Sequence, residues 1–431
     1  MRSALKLSGT VLLLAVLLTL GLAGCRIASQ LASQMATQLR VFVAVGDDRD
    51  SDEERSLNAL KQQVVEEYLA NNPDIRLQVR FLPEKELKRQ VLRQSAVGAG
   101  PDLVISRVIP AAQLYKDGLV SAASLDTSDV AELNLRELEQ FRSGVGYPVL
   151  PFLFEPSLAC FNRKRVKNPP RQLSDLQKLA ASGIRVALPI EVDELIWTAQ
   201  SFGQRNDLIL LISGGKWGKG QASLEEQNRA GKLAWLQWLA NLNLEQNVSF
   251  AATLENLLPR LEDGSVDWIS CNSTAVPRLR AKMGDQLGLS LLPASNDGRP
   301  AGALTRMLVI SFGRDSTAKE REQAERFAMF LLNDYSQSKI MLRAIGNLPA
   351  NQDVPVPRKE MPDLGVMEDS LSTAFVLPFS TSERIPTQAR ERVNTLLKRN
   401  IYQEWTPSRT LQGLEEVFAP PQQSTMRRFQ P

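Results

Sequence analysis

Leu39-Arg40-Val41-Phe42-Val43-Ala44-Val45 opens a stretch that closes on Leu103-Val104-Ile105-Ser106, and its alternation of patterns decides the fold. The first run is apolar and β-branched, ends at Gly46-Asp47-Asp48, and predicts a strand. Ser56 to Ala70 places Leu57, Leu60, Val64 and Leu69 near helical spacing, and Asn71-Asn72-Pro73-Asp74 stops it. Ile75 to Phe81 alternates apolar and polar residues as a strand does, and Glu84 to Ala96 predicts a second helix. Gly98-Ala99-Gly100-Pro101-Asp102 then turns the chain into the buried strand Leu103 to Ser106. Strand, helix, strand in this order predicts βαβ units on a largely parallel sheet, an α/β fold.

A second αβ region follows. Ile184 to Leu188, Val266 to Cys271 and Leu287 to Leu292 read as strands. Lys232 to Asn241 reads as a helix with a broad apolar side. Ala303 to Ser311 is extended and Arg321 to Leu332 helical. Asn351 to Asp363 is Pro-rich and irregular, Gln388 to Arg399 and Ser408 to Val417 are expected as surface helices, and Ala419 to Pro431 as a disordered tail. The chain has 431 residues, enough for two globular lobes.

Composition narrows the chemistry. Lys and Arg number 51 against 48 Asp and Glu, a balance that gives no reason to expect nucleic acid. Histidine is absent, which removes the commonest general base, the Ser/His and Cys/His nucleophile arrangements, and the commonest metal ligand. No cofactor or metal is expected. Gly214-Gly215-Lys216-Trp217-Gly218-Lys219-Gly220 lacks the spacing of a phosphate-binding loop and predicts a flexible cleft loop.

Arg2 and Lys6 precede the apolar run Val11 to Leu20, followed by Leu22-Ala23-Gly24-Cys25. A basic start, a short apolar core and small residues before a cleavage point predict an export signal. With cysteine directly after the small residues, the segment resembles a bacterial lipobox. That resemblance implies removal of residues 1–24, lipid on Cys25, a tether over 25–39, and work outside the cytoplasm at a membrane. Of the three cysteines, Cys160 and Cys271 then remain; both lie in apolar strand-like runs and are expected as buried free thiols.

Further segments fall in a familiar order. Gly100-Pro101-Asp102-Leu103-Val104-Ile105 precedes Tyr115-Lys116-Asp117-Gly118-Leu119-Val120. Tyr147-Pro148, Glu155 and Phe161-Asn162-Arg163 come next, then Pro169-Pro170-Arg171-Gln172-Leu173-Ser174-Asp175-Leu176. Gly214-Gly215, Asp263 to Trp268 and Gly346-Asn347-Leu348-Pro349-Ala350-Asn351 complete the series. Together they resemble the extracellular solute-binding proteins of ABC importers, in particular the maltose-binding-like sugar group. The resemblance implies a two-lobed type II periplasmic binding protein fold with hinge strands and an interlobe cleft. It places lobe 1 at 40–153 plus 304–350 and lobe 2 at 154–303 plus 351–418, with 419–431 as tail. It also implies a monomer that binds a small polar solute, a sugar or sugar-like polyol, and hands it to the transmembrane subunits of an ABC permease. Two departures set this chain apart. Cys271-Asn272-Ser273-Thr274 has no aromatic residue where the family stacks one on a sugar ring, and Gln172-Leu173 stands for its Thr-Trp.

In open α/β sheets ligands bind beyond the carboxyl ends of the strands, so the loops that follow them supply the candidates. These are Asp47, Asp48, Ser106, Arg107, Glu155, Asp193, Trp217, Asn272, Ser273 and Arg306. Carboxylates accept hydrogen bonds, arginine donates in a planar fork and asparagine does both, which suits hydroxyl-rich solutes. Trp217 offers a stacking face. Asp47 and Asp48 equally suit a helix cap or an Asx turn, Asp193 suits a helix cap better than a ligand contact, and Glu155 also suits an interlobe salt bridge. Trp235, Trp238 and Trp268 are expected in cores, and Trp197 fits either role. The competing class is a secreted glycoside hydrolase, which needs two facing carboxylates; no spaced pair stands out.

Overall fold

In the computed structural model the described residues are 36–45, 64–123, 125, 130, 133, 146–203, 222–343, 346–377, 379–382 and 389–417. The signal segment, Cys25, the tether up to residue 35, Asp47, Asp48, the 214–220 loop with Trp217, and the tail lie outside them; the last residues assigned to the tether, from Thr37, instead open the first strand.

The strands are β1 (Thr37–Val45), β2 (Ile75–Pro83), β3 (Leu103–Arg107), β4 (Val120–Ser121), β5 (Leu150–Glu155), β6 (Ser157–Asn162), β7 (Val186–Pro189), β8 (Val248–Ala251), β9 (Trp268–Asn272), β10 (Leu287–Ser290), β11 (Arg306–Gly313) and β12 (Leu348–Pro349). They form two sheets. The first runs β12-β5-β11-β3-β1-β2, with the short β4 beside β11; the second runs β10-β6-β9-β7-β8. In the first, β1 is parallel to β2 and β3, while β11 enters antiparallel between β3 and β5. The second repeats the scheme: β7 is parallel to β8 and β9, and β6 is antiparallel to β9. Each sheet thus has a parallel core next to which one antiparallel strand enters, β11 in the first and β6 in the second.

The resulting α/β architecture has two lobes, and the chain crosses between them at Glu155-Pro156-Ser157 and at Leu304-Thr305-Arg306, beside Phe375. These crossings are sewn together. Leu304 bridges Phe375, Thr305 N–H donates to the Phe375 carbonyl at 2.9 Å, Ser157 Oγ donates to the Leu304 carbonyl at 3.1 Å, and Ser370 Oγ donates to the Ser157 carbonyl at 2.7 Å. Pro156 keeps Glu155 out of the helical region, so the β5-to-β6 passage stays extended.

The starts of the parallel strands are fastened in the same way in both sheets. Asp102, just before β3, accepts the Arg40 N–H at 2.8 Å and its guanidinium at 3.2 and 3.3 Å, while the Asp102 N–H donates to the Arg40 carbonyl at 2.7 Å. Asp267, just before β9, accepts the Arg185 N–H at 2.9 Å and its guanidinium at 3.0 and 2.9 Å, and the Asp267 N–H donates to the Arg185 carbonyl at 2.8 Å. Both carboxylates are buried. The Pro101-Asp102 motif of the sequence is therefore a strand-pairing clamp, and Asp267 is its counterpart in the second sheet.

Lobe 2 carries a core of Trp235, Trp268, Leu236 and Leu239, completed by Leu396, Leu397, Leu411 and Leu414. Each buried Trp removes on the order of 200 Å² from water, worth about 5 kcal/mol before the entropy of ordering. The helices Ala389–Ile401 and Pro407–Val417 supply the last four leucines, so these surface helices are amphipathic and bury one side on this core. The helix Pro362–Thr373 emerges from the Pro-rich stretch read as irregular; Pro362 occupies its first turn, where no N–H is missed.

The two cysteines correct the free-thiol expectation. β6 and β9 are neighbours whose register sets Cys160 opposite Ile269 and Leu158 opposite Cys271. Cys160 and Cys271 therefore share one face on a diagonal, with Cα atoms 5.9 Å apart, and they form a disulfide across 111 residues of sequence.

Candidate functional site

The topology gathers a charged group at one place. β3 and β5 point the same way, and β11 starts where they end. Arg107 closes β3, Glu155 closes β5, and Arg306 opens β11 directly opposite Glu155. Arg107 faces Leu308, two residues along β11 from Arg306, so all three side chains lie on one side of the sheet. Glu84, first residue of the helix Glu84–Ser95 after β2, reaches the same edge.

From lobe 2, β7 ends at Pro189 and leads into the short helix Val192–Leu195, which carries Glu194; β9 ends at Asn272, paired with Ser157 at the crossing. The carboxyl ends of the parallel strands in both sheets thus border the crossings, where the α/β binding rule places a ligand.

An ion network joins these residues. Arg107 contacts Glu84 at 3.4 Å and Glu155 at 3.5 Å. Arg306 pairs with Glu194 Oε1, linking the β11 crossing to lobe 2. Glu155 and Glu194 are almost fully enclosed, at 1% and 2% exposure. Burial lifts the Glu194 carboxyl above the ordinary carboxylate range, while Arg306 and a hydrogen bond from Asn272 pull it back. Glu194 Oε2, buried, has no hydrogen-bond partner among the described residues.

The sequence candidates fall into three groups. Arg107, Glu155, Asn272 and Arg306 come together at the crossings. Ser106 and Ser273 are buried but occupied: Ser106 Oγ donates to the Arg107 carbonyl at 3.2 Å, and Ser273 Oγ donates to the Gly346 carbonyl. Gly346 has φ 142°, and a Cβ there would come within 2.8 Å of the Ser273 carbonyl oxygen, which accounts for glycine where lobe 1 meets lobe 2. Asp193 does not cap its helix; it pairs with Arg390 at 3.0 Å, beside Glu191 at 3.5 Å from the same guanidinium. Asp47, Asp48 and Trp217 lie outside the described residues.

Glu84 and Glu194 were missed by sequence reasoning. Glu84 directly follows a strand, the rule that selected the other candidates, but its place at a helix start gave it a second explanation. Glu194 differs from Glu191 and Asp193 in being followed by Leu195-Ile196-Trp197, an apolar run that signals burial. Trp197 is itself buried, and Trp235 and Trp268 sit in the lobe 2 core.

Among the described residues no group of three or more His, Cys, Asp or Glu is arranged to hold a metal ion, and no helix is long and apolar enough to cross a membrane.

No protein-family model matches the chain, and no curated protein matches it by sequence. Solved structures do match in fold. The GacH receptor of Streptomyces glaucescens, studied unliganded and with acarbose, is 13% identical with a TM-score of 0.70, over 89% of this chain and 98% of that one. Maltose-bound MalE3 of T. maritima is 15% identical with a TM-score of 0.69, over 88% and 99%. A solute-binding protein of an ABC transporter from Thermotoga lettingae, bound with α-D-tagatose, is 14% identical with a TM-score of 0.66, over 89% and 100%. The chain has the two-lobed periplasmic binding protein fold.

Proposed function

We propose that this chain is the solute receptor of an ABC importer, taking a small polar solute, a sugar or sugar-like polyol, between its lobes. One observation carries the reading: the carboxyl ends of both sheets meet at the crossings in a buried group of carboxylates, guanidiniums and an amide. Such groups suit hydroxyls, which both donate and accept. The fold shared with a receptor and two sugar-bound proteins supports it. Binding shifts an open–closed equilibrium by its differential affinity for the closed form, which docks on the permease. Lobe 1 comprises 40–153 and 304–350, lobe 2 154–303 and 351–418. The 1–24 signal is removed, Cys25 carries lipid at the extracytoplasmic face of a membrane, and the residues between it and β1 act as a leash that raises the receptor's effective concentration at its permease.

All six tryptophans lie from Trp197 to Trp405, outside the segments that build the first sheet, so intrinsic fluorescence reports lobe 2. Titration with a panel of sugars and polyols is expected to give a saturable change. Glu155→Ala is expected to weaken binding about 10- to 100-fold, the effect of leaving a buried partner unmatched, at about 1–3 kcal/mol. A folded protein that answers to no solute of the panel overturns the reading.

A further inference from the structure

We infer that the solute carries an amine, and that its positive charge is received by Glu194 at the crossing of the lobes. This rests on the receptor reading above and names its substrate class.

The argument is one of charge and of unfilled valence. Three carboxylates of the described edge, Glu84, Glu155 and Glu194, face two guanidiniums, those of Arg107 and Arg306. Both guanidiniums are already engaged: Arg107 lies between Glu84 and Glu155, and Arg306 holds Glu194 while standing opposite Glu155 in the sheet. At the rim, Glu191 and Asp193 share the single guanidinium of Arg390. The described edge therefore carries more negative charge than positive.

Glu194 keeps one carboxylate oxygen unsatisfied among the described residues. Only its Oε1 meets Arg306; its Oε2 is buried and has no hydrogen-bond partner among the described residues. A carboxylate oxygen is an acceptor only, so its complement is a donor. A hydroxyl would fill the hydrogen bond but leave the charge in a low-dielectric site. An ammonium supplies both, in the charge-assisted form that is the stronger bond. An anionic solute would add to the excess, with both inner arginines already held by carboxylates.

Burial already lifts the Glu194 carboxyl, against the pull of Arg306 and Asn272 and with the push of Glu191 and Asp193. An arriving ammonium favours the ionised carboxylate, in the same sense as Arg306 and Asn272.

The test is calorimetric and fluorescence titration of the full chain with matched probes: glucosamine and its β-1,4 dimer, glucose and cellobiose, and glucuronate. The amine probes are expected to bind at least tenfold more tightly than their neutral counterparts at pH 7, with affinity that falls as salt is raised, and glucuronate is expected to bind most weakly. Glu194→Gln, checked for folding by circular dichroism, should abolish the preference for amine over neutral probes, whatever neutral affinity the variant keeps. If that variant does not fold, the wild-type comparison and its salt dependence still decide. Neutral or acidic probes that bind as tightly as the amines, or a preference that survives Glu194→Gln, overturn this inference and leave the receptor reading standing. Failure of every probe overturns both.

Discussion

Replacing Cys160 and Cys271 together by alanine is expected to destabilise lobe 2 by about 3–5 kcal/mol. The bridge closes a loop of 111 residues, and in the chain-entropy view a loop of about 100 residues is worth about 4.7 kcal/mol through the freedom it removes from the unfolded chain. The native side contributes little to the loss, because β6 and β9 already hold the two residues in register and alanine fills most of the small volume. Guanidinium unfolding followed by tryptophan fluorescence isolates lobe 2, since no tryptophan lies in the segments of the first sheet. The fluorescence midpoint should fall in the alanine variant and in reduced wild type alike. Equal midpoints for oxidised and reduced protein would show that the bond is not formed in solution.

Asp102→Ala carries the second large effect, about 3 kcal/mol. The side chain accepts from a backbone N–H, from a guanidinium and from Ser316 Oγ at 2.7 Å. Its loss strands the Arg40 N–H between strands and leaves a half-buried guanidinium with Glu320, at 3.6 Å, as its remaining ionic partner among the described residues. Asp267→Ala should cost less, about 2 kcal/mol, because the Arg185 side chain is 44% exposed and water replaces part of what it loses. Asn at either position keeps one acceptor and should recover part of the loss. The Asp267 clamp also predicts a pH response. Burial favours its proton, but hydrogen bonds from Arg185 outweigh burial and hold its pKa below the ordinary carboxylate value. A group depressed in the folded state stabilises it fully above the unfolded value, near pH 4, and loses that contribution as pH falls through the folded value. Asp267→Asn should therefore flatten the acid limb of the lobe 2 stability curve while leaving the limb above pH 6 parallel to wild type.

The α/β alternation from Leu39 to Ser106 was legible because strand and helix periods differ and each run is bounded by turn residues. The charged edge was legible in part, since "directly after a strand" is a rule of position that picks out Arg107, Glu155, Asn272 and Arg306 without contacts. Contacts decide the rest. Ser106 and Ser273 obey the same rule but spend their hydroxyls on backbone carbonyls, which depends on the register of β3 and on the approach of Gly346. Glu194 sits one helical turn past Glu191, and its burial follows from how a four-residue helix meets β11. The disulfide was hidden because a separation of 111 residues says nothing about sheet neighbours. The helix Pro362–Thr373 was hidden by Gly, Ser and Thr in its interior, which weaken its helical pattern.

The paired aspartate clamps bear on how such a molecule changes over generations. Asp102 and Arg107 stand at opposite ends of β3, about 16 Å apart at ~3.3 Å per residue. Substitutions separated by more than about 10 Å usually act independently. What holds the strands in register and what meets a solute are therefore inherited as separable traits. A lineage can rewrite the charged edge for a new compound without endangering the scaffold, and the second sheet, with its own clamp, offers the same freedom again.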